Sequence, residues 1–256
     1  MGVSVMNRVL RTLRIRSKLA KIGVFSFRPF GDLQFRSLRI AGRRVKISIL
    51  PGEEDAFRHT LAEIYLCDEY GIQELRPRPK YILDIGANVG CFSMISKFLY
   101  PEAVIHAYDP NPALASILHG HLDPLGVDCF SEAVGARNGS VEFEWSGPGS
   151  SLCGHVRSNG LGKVAMVTLG KAAERIGGRI DLLKLDCEGS EWEILSDTEA
   201  LKRVVSLRME YHLWAKPDGS LRKLEELLGS QGFDVIRAYA KQKDPRQGIV
   251  WAKRQS

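Results

Sequence analysis

Cysteine is scarce in this sequence, and its spacing excludes two common kinds of framework. Five cysteines are scattered among 256 residues, and none forms a Cys-x-x-Cys pair. An odd number of dispersed cysteines does not indicate a disulfide framework, and without closely spaced cysteine and histidine ligands a structural zinc site is not expected. A reducing, cytoplasmic setting fits this usage best.

Long hydrophobic runs are also missing. No stretch approaches the roughly 20 apolar residues that a membrane-spanning helix needs, and no secretory signal with a small-residue cleavage site is present. Hydrophobic residues make up 44% of the chain and charged residues 26%, which is ordinary for a soluble globular protein. A chain of 256 residues can form one large α/β domain with an appendage.

The beginning of the chain lacks acidic residues. No Asp or Glu precedes Asp32, while basic residues recur at helical spacing at Arg8, Arg11, Arg14, Lys18 and Lys21. This predicts a basic amphipathic helix over residues 1–22, suited to peripheral contact with an anionic membrane surface or to an acidic partner. A solvated appendage helix is an equally good interpretation. Nucleic acid is not an expected partner, because no strip of interleaved aromatic and basic residues accompanies the charge.

The next part of the chain is expected to form a β-hairpin and a helix. Apolar residues alternate over positions 25–49 around a turn at Ala41-Gly42, which predicts a hairpin. A helix is expected from Glu53 to Tyr70. Tyr65 and Tyr70 are lid candidates over a ligand, although such residues more often belong to the core. The predicted division is an appendage over residues 1–76 and a main domain over residues 77–256.

A strand, a glycine turn, a helix and a second strand define the main domain. The apolar run from Tyr81 to Ile85 predicts a buried strand, and a helical pattern begins at Cys91. The second strand ends in Asp109. This order is typical of the first half of a nucleotide-binding α/β sheet, in which the acid hydrogen-bonds ribose hydroxyls.

The turn itself discriminates between cofactors. A dinucleotide site requires G-x-G-x-x-G, but Asn88 and Cys91 stand where the second and third glycines belong. An oxidoreductase is therefore disfavoured. The pattern Asp84-x-Gly86-x-Asn88-x-Gly90 resembles the first motif of class I S-adenosylmethionine-dependent methyltransferases. That resemblance implies that Asp84 supports the turn near the methionine amine and that Asp109 binds the ribose; the alternative is a tight turn with no ligand.

Further strands are predicted at residues 127–130, 180–185, 204–211, 233–239 and 248–252. The connection from Ala240 to Gln247 is too short for a parallel crossover, so the last strand must run antiparallel to the one before it. The expected fold is a Rossmann-like α/β domain with a seven-stranded, mostly parallel sheet whose last strand is antiparallel.

A second motif indicates the family. The stretch Ile180-Asp-Leu-Leu-Lys-Leu-Asp186-Cys-Glu188-Gly-Ser-Glu191, with the motifs at residues 84–90 and 109–112, resembles the FkbM family of methyltransferases, typically O-methyltransferases. The resemblance covers about residues 81–212 and includes a loop with Ser150-Ser151. One departure is Asp109, where relatives commonly have Glu. The residues that bind S-adenosyl-L-methionine are expected to be Asp84, Gly86, Asn88, Gly90, Asp109, Asn111, Glu132, Ala133 and Asp186.

The expected catalytic residues are Asp186, Glu188, Glu210 and His212. By its ordinary pKa His212 is the natural general base, and Asp186 or Glu210 would orient it or the acceptor. Glu191 is expected on a solvated helix face. No metal is expected, although several acids could instead hold Mg²⁺ against a sugar diol.

The predicted function is methylation of a hydroxyl on a sugar, glycolipid or secondary metabolite, so the partner is a small-molecule or glycan acceptor. The Asn/Asp-Pro-Pro-aromatic motif of base-amino methyltransferases and the Pro-Cys nucleophile of cytosine enzymes are both missing. The alternative is a catalytically weak methyltransferase-like protein that acts as a membrane-associated scaffold.

Overall fold

The computed structural model describes residues 2–73, 75–144, 155–156 and 162–255, so the predicted Ser150-Ser151 loop lies outside the described residues. The helices are α1 (Gly2–Lys21), α2 (Glu54–Leu61), α3 (Cys91–Leu99), α4 (Ala115–Leu122), α5 (Leu169–Arg175), α6 (Glu191–Ile194), α7 (Thr198–Leu201) and α8 (Leu221–Ser230). A π-helical turn, Ala62–Leu66, continues α2. Short 3₁₀ turns are Phe30–Asp32, Asp123–Leu125 and Leu213–Ala215.

The strands form three sheets. They are β1 (Ser37–Ile40), β2 (Arg43–Lys46), β3 (Tyr81–Ile85), β4 (Val104–Tyr108), β5 (Asp128–Phe130), β6 (Glu132–Gly135), β7 (Gly139–Glu144), β8 (His155–Val156), β9 (Gly162–Thr168), β10 (Ile180–Leu185), β11 (Val204–His212), β12 (Phe233–Ala240) and β13 (Gln247–Arg254).

The main sheet has seven strands in the order β12-β13-β11-β10-β3-β4-β5. Its pairs from β11 to β5 are parallel, whereas β13 is antiparallel to both β11 and β12. The predicted seven-stranded sheet and its antiparallel last strand are therefore confirmed. The physical reason is the short link between β12 and β13, which leaves no room for a crossover helix.

Both faces of this sheet are covered, as the continuous apolar runs in its central strands predict. On β3, Ile82 packs into one hydrophobic cluster and Leu83 into the other, because successive side chains point to opposite faces. The first cluster includes α3 and the N-terminal elements, and the second includes α5, α7 and α8. The carboxyl ends of β3, β4, β10 and β11 meet at one edge, where a ligand site belongs.

A smaller sheet in the order β6-β9-β7-β8 follows β5. Its strand β6 is parallel to β9, and β7 runs antiparallel to β9. Since β6 begins two residues after β5 ends, this sheet continues directly from the rim of the main sheet.

The N-terminal elements pack against the main domain. The hairpin β1–β2 pairs Ile40 with Arg43 around the predicted turn. At the end of α1, Leu19 and Ile22 are buried in the same cluster as Ile82. The Lys18 ammonium donates to the carbonyls of Tyr65 and Leu66 at 3.1 Å each. The predicted appendage thus shares a hydrophobic core with the sheet.

The segment after the hairpin differs from the single long helix predicted to Tyr70. It consists of α2 and the π-helical turn, and it ends at Leu66. Tyr65 lies in the core and donates its hydroxyl to the Lys18 carbonyl, whereas Tyr70 lines the cavity described below. Within the described ranges, no helix combines the length and apolar character needed to cross a membrane.

A glycine in β13 provides a test of the sheet packing. A Cβ atom on Gly248 would collide with the carbonyl oxygen of Tyr239 and the hydroxyl of Tyr211. Gly248→Ala should therefore lower the free energy of unfolding by about 1–3 kcal/mol, measured by urea denaturation. Gly229→Ala is the matched control. It lies in α8 with open space around its Cα, so alanine there should be neutral or stabilising by about 0.5–1 kcal/mol. Equal stability of the two variants would contradict this packing.

Candidate active site

The turn after β3 adopts a backbone that few residues tolerate. Gly86, Asn88 and Gly90 have φ angles of +76°, +52° and +85°. Glycine accepts such angles without strain, and asparagine is among the most tolerant of the other residues. A Cβ atom on Gly86 would also collide with the carbonyl oxygen of Asp186. The loop therefore passes directly over the end of β10, and the cavity wall here is bare backbone.

Asp109 holds the other side of this loop. Its two carboxylate oxygens accept hydrogen bonds from the backbone N–H of Asn88 at 2.7 Å and of Asn111 at 2.9 Å. Each oxygen keeps a second lone pair, and the side chain lines the cavity. Burial raises the pKa of Asp109 to about 6, although both backbone donors oppose that rise. Asp109 is thus ionised above pH 6 and suited to accept hydrogen bonds from a diol.

A buried lysine lies beneath the loop. The Lys184 ammonium lies 3.3 Å from Asp84 and 3.5 Å from Asp186, and it donates to the Gly86 carbonyl at 2.5 Å. Burial opposes the charge of Lys184, but the two carboxylates raise its pKa above the usual value. Asp84 is fully buried, accepts from the Ser93 hydroxyl at 2.7 Å and does not line the cavity. It supports the loop from below.

Glu132 and Ala133, which were expected to bind the cofactor, line the cavity at the start of β6, just after β5. The Glu132 carboxylate forms a two-pronged ion pair with Arg175. Arg175 lies over the ring of Phe130, which stacks on Tyr108 with centroids 4.5 Å apart. The Glu132 carboxylate is therefore already paired within the protein. The ion pair and the stacked rings hold this side of the cavity in place.

At the opposite end of the cavity three carboxylates meet. Asp186, Glu188 and Glu210 all line it, together with Tyr70 and Lys241. The Tyr70 hydroxyl donates to Asp186 at 3.1 Å, and the Lys241 ammonium donates to Glu210 at 2.8 Å. Burial and the charge of Asp186 raise the pKa of Glu188 to about 8 and that of Glu210 to about 7. Two acids here titrate near neutral pH.

Asp186 itself stays ionised. Burial opposes its charge, but Lys184 and His212 hold its pKa below the usual value. This end of the cavity therefore contains one fixed negative charge and two groups that can take up a proton.

His212 lies behind these carboxylates. Only 1% of its side chain is exposed. Its Nδ1 lies 3.0 Å from Glu191, and its Nε2 lies 3.5 Å from Glu188 and 3.9 Å from Glu210. Burial disfavours the imidazolium, but Glu191 and the other acids raise the pKa of His212 to about 9. His212 is therefore a cation at neutral pH and does not line the cavity, which does not support its expected role as the general base.

Glu191 was expected on a solvated helix face, and that prediction is wrong. Glu191 is 1% exposed, and its carboxylate accepts from the backbone N–H of Cys187 and Gly189 at 2.9 Å each. It closes the turn after β10 and fixes the ring of His212. Helical spacing did not reveal this, because Glu191 folds back over the turn that precedes its own helix.

Sequence reasoning did not identify Lys184 or Lys241 as part of the site. A lysine inside the apolar run of β10 was the available signal for Lys184, since an unpaired charge is rarely fully buried. Lys241 reaches the site from the link after β12, and no local pattern indicates that.

Three side chains could also present ligand atoms to a metal. Ligand atoms of Asp186, Glu188 and His212 lie within 4.8 Å of one another. Each carboxylate at this end already has a cationic neighbour: Lys184 at 3.5 Å from Asp186, His212 at 3.5 Å from Glu188 and Lys241 at 2.8 Å from Glu210. A metal ion is therefore not needed to balance their charge, and the expectation of a metal-free site stays a prediction.

The cavity of about 340 Å³ suits S-adenosylmethionine. The bare backbone at Gly86 allows close approach, Asp109 can accept from ribose hydroxyls, and the ionised Asp186 favours a ligand with a sulfonium and an ammonium group. A pyrophosphate would meet these acids without a glycine-rich helix start to bind it. The residues that would hold the cofactor are Gly86, Asn88, Asp109, Asn111 and Ala133.

Comparison with known proteins gives the same assignment. Residues 84–238 match the family described as the methyltransferase FkbM domain. The chain is 30% identical over 230 residues to methyltransferase sdnD of Sordaria araneosa, an alignment that covers 75% of this chain and 88% of that protein. It is 27% identical over 187 residues to the 2-O-methyltransferase NoeI of Sinorhizobium fredii, covering 64% of this chain and 76% of that protein.

Among solved structures, magnesium protoporphyrin IX methyltransferase from Synechocystis with bound S-adenosylmethionine is 12% identical, with a TM-score of 0.47 over 81% of this chain and 86% of that one. The family match spans the glycine loop, Asp109, the acids that follow β10 and Glu210 in β11. This chain belongs to the FkbM family of S-adenosylmethionine-dependent methyltransferases.

Proposed function

We propose that this methyltransferase transfers its methyl group to a hydroxyl of a polyhydroxylated acceptor, a sugar or a glycan-bearing molecule such as a glycolipid. The observation that carries the proposal is the end of the cavity away from Asp109, where Asp186, Glu188, Glu210 and Lys241 present charged, hydrogen-bonding groups. Such a wall can bind neighbouring hydroxyls and take a proton, whereas an aromatic or aliphatic acceptor without hydroxyl groups would offer no hydrogen-bond donor to the remaining lone pairs of these carboxylates.

The relatives support the same reaction type. One of them is described as a 2-O-methyltransferase, and a hydroxyl acceptor needs what this cavity offers, a base near the acceptor oxygen. Secondary metabolites with free hydroxyl groups are a second acceptor class that the same wall would accommodate.

We assign the role of general base to Glu188. Its Oε2 lies 3.5 Å from His212 Nε2, and it lines the cavity while His212 does not. A carboxylate whose pKa is raised to about 8 binds a proton more strongly than an ordinary glutamate and still ionises near neutral pH. His212 and Glu191 position Glu188, and Lys241 positions Glu210 toward the acceptor.

Bound S-adenosylmethionine supplies a methyl group on a positively charged sulfur. The protein must then align the acceptor oxygen with that methyl group, exclude water and remove the hydroxyl proton. Tyr70, 4% exposed and hydrogen-bonded to Asp186, lines the cavity beside that carboxylate.

The cofactor half of the site can be tested at Asp109. Asp109→Asn removes the charge that accepts from ribose hydroxyls, so the binding of S-adenosylmethionine and S-adenosylhomocysteine should weaken by about 1.5–3 kcal/mol in calorimetry at pH 8. Affinity of the unaltered protein should also fall below pH 6, because Asp109 then takes up a proton.

Asp123→Asn is the matched control. Its side chain is 60% exposed and outside the cavity, so this variant should bind like the unaltered protein. The ribose assignment fails if Asp109→Asn and Asp123→Asn bind the cofactor equally well.

The reaction can be tested with S-adenosylmethionine carrying a ¹³C-methyl group and a panel of sugars and hydroxylated metabolites. We expect the label on an acceptor oxygen. Glu188→Gln should lower turnover by about 10²–10⁴-fold while cofactor affinity changes little. In the unaltered enzyme the rate should rise with pH through an apparent pKa near 8, as Glu188 loses its proton, and this rise should be absent in Glu188→Gln.

Glu174→Gln is the control, because this glutamate is 58% exposed and outside the cavity. EDTA should not stop the reaction. Label on nitrogen or carbon would contradict hydroxyl transfer, and a fully active Glu188→Gln would remove Glu188 from the base role. Cofactor binding without transfer to any acceptor would favour the scaffold alternative.

A further inference from the structure

Large apolar side chains are exposed mainly at one place. In the described residues from position 10 onward, seven such side chains are exposed, and four of them lie between positions 10 and 27. They are Leu10 at 55%, Leu13 at 54%, Phe25 at 82% and Phe27 at 91% exposure. Single exposed apolar residues are ordinary, but a local concentration marks an interaction surface.

The geometry of α1 separates this exposed set from the core. Leu19 and Ile22 are buried in the domain, and Ile15 packs against the same cluster. With about 100° of rotation per residue, Leu10 and Leu13 lie roughly on the opposite side of the helix from these residues. One side of α1 therefore anchors the helix, and the other presents leucine to the solvent.

The two phenylalanines lie in the segment that follows this helix. The backbone N–H of Val24 donates to the Leu19 carbonyl at 2.9 Å. The Arg16 guanidinium donates to the Phe27 carbonyl at 2.9 Å and lies 5.5 Å from the centre of its ring. Phe25 and Phe27 are thus held at the surface by the helix that carries Leu10 and Leu13.

The charge around these side chains has one sign. The first 52 residues contain twelve Lys and Arg and one acid, Asp32, whereas the remaining 204 residues contain 24 Lys and Arg and 29 acids. On the hairpin, Arg36, Arg39, Arg43, Arg44 and Lys46 are all exposed. The excess positive charge of the protein is therefore concentrated in the first 52 residues, the same part of the chain that contains these four exposed apolar side chains.

We propose that this N-terminal face, defined by Leu10, Leu13, Phe25, Phe27 and the surrounding basic side chains, binds the surface of an anionic lipid bilayer. Phe25 and Phe27 are 82% and 91% exposed. Exposed apolar side chains such as these can insert into the interface of a bilayer, which, unlike a protein partner, does not need a pocket shaped to receive them. Arginine and lysine can remain at the headgroups while their apolar neighbours insert. The face would hold the enzyme at the membrane and leave the cavity at the carboxyl ends of the strands to bind its ligands.

The test uses the full-length protein and sedimentation with vesicles. The protein should bind vesicles of equal parts phosphatidylcholine and phosphatidylglycerol, and binding should fall steeply with added salt and be weak on pure phosphatidylcholine. Phe25→Ser/Phe27→Ser should reduce the partition coefficient by about tenfold or more. Leu10→Ser/Leu13→Ser should also reduce it. Substitutions are preferable to deletion of α1, because Leu19 and Ile22 are buried in the core.

Ile236→Ser is the matched control, since Ile236 is 58% exposed on β12 and should not affect binding. The proposal is overturned if the phenylalanine variant binds as strongly as the control. It is equally overturned if the partition coefficient is the same on anionic and on pure phosphatidylcholine vesicles and does not change with added salt. Self-association without lipid that disappears in the phenylalanine variant would assign the face to a second copy of the chain instead, and preferential binding to RNA over vesicles would assign it to nucleic acid.

Discussion

The site depends on the buried ion pair between Lys184 and the two acids Asp84 and Asp186. Lys184 is 3% exposed on the central strand of the sheet. It joins Asp84 at the end of β3 to Asp186 at the end of β10, and it also binds the carbonyl of Gly86. An isolated buried charge costs several kcal/mol, so each member requires the others. The glycine loop and the end of the cavity that carries Asp186 are therefore linked to each other by one ammonium group.

A second group of titratable side chains, Glu188, Glu210 and His212, lies next to Asp186. Asp186 stays ionised because Lys184 and His212 are near, and its negative charge in turn raises the pKa of Glu188 and Glu210. Glu191, next to Nδ1 of His212, raises the pKa of His212 and so keeps its ring protonated. The low dielectric of the buried edge lets each charge act strongly on its neighbours. The raised pKa values of Glu188 and Glu210 thus result from the position of their carboxylates next to the ionised Asp186, at the carboxyl ends of β10 and β11.

The parts of this arrangement that depend on local sequence could be predicted. The strand from Tyr81 to Ile85, the turn at Gly86 and the acid at Asp109 follow from short-range patterns, and the antiparallel β13 follows from the length of one connection. The role of His212 could not be predicted, because its protonation depends on Glu191 from another element. Lys241 reaches Glu210 across 31 residues, and such contacts appear only in the folded chain.

The ion pair beneath the loop is the central physical claim, and cofactor binding by a Lys184→Met protein tests it most directly. The measurement is calorimetric titration with S-adenosylhomocysteine, alongside an Asp84→Asn/Lys184→Met protein in which the buried partner charge is removed as well. Circular dichroism would first confirm that both proteins are folded. The account predicts that both bind S-adenosylhomocysteine at least about tenfold more weakly than the unaltered protein, a loss of about 1.4 kcal/mol or more. A folded Lys184→Met protein with unaltered affinity would contradict it.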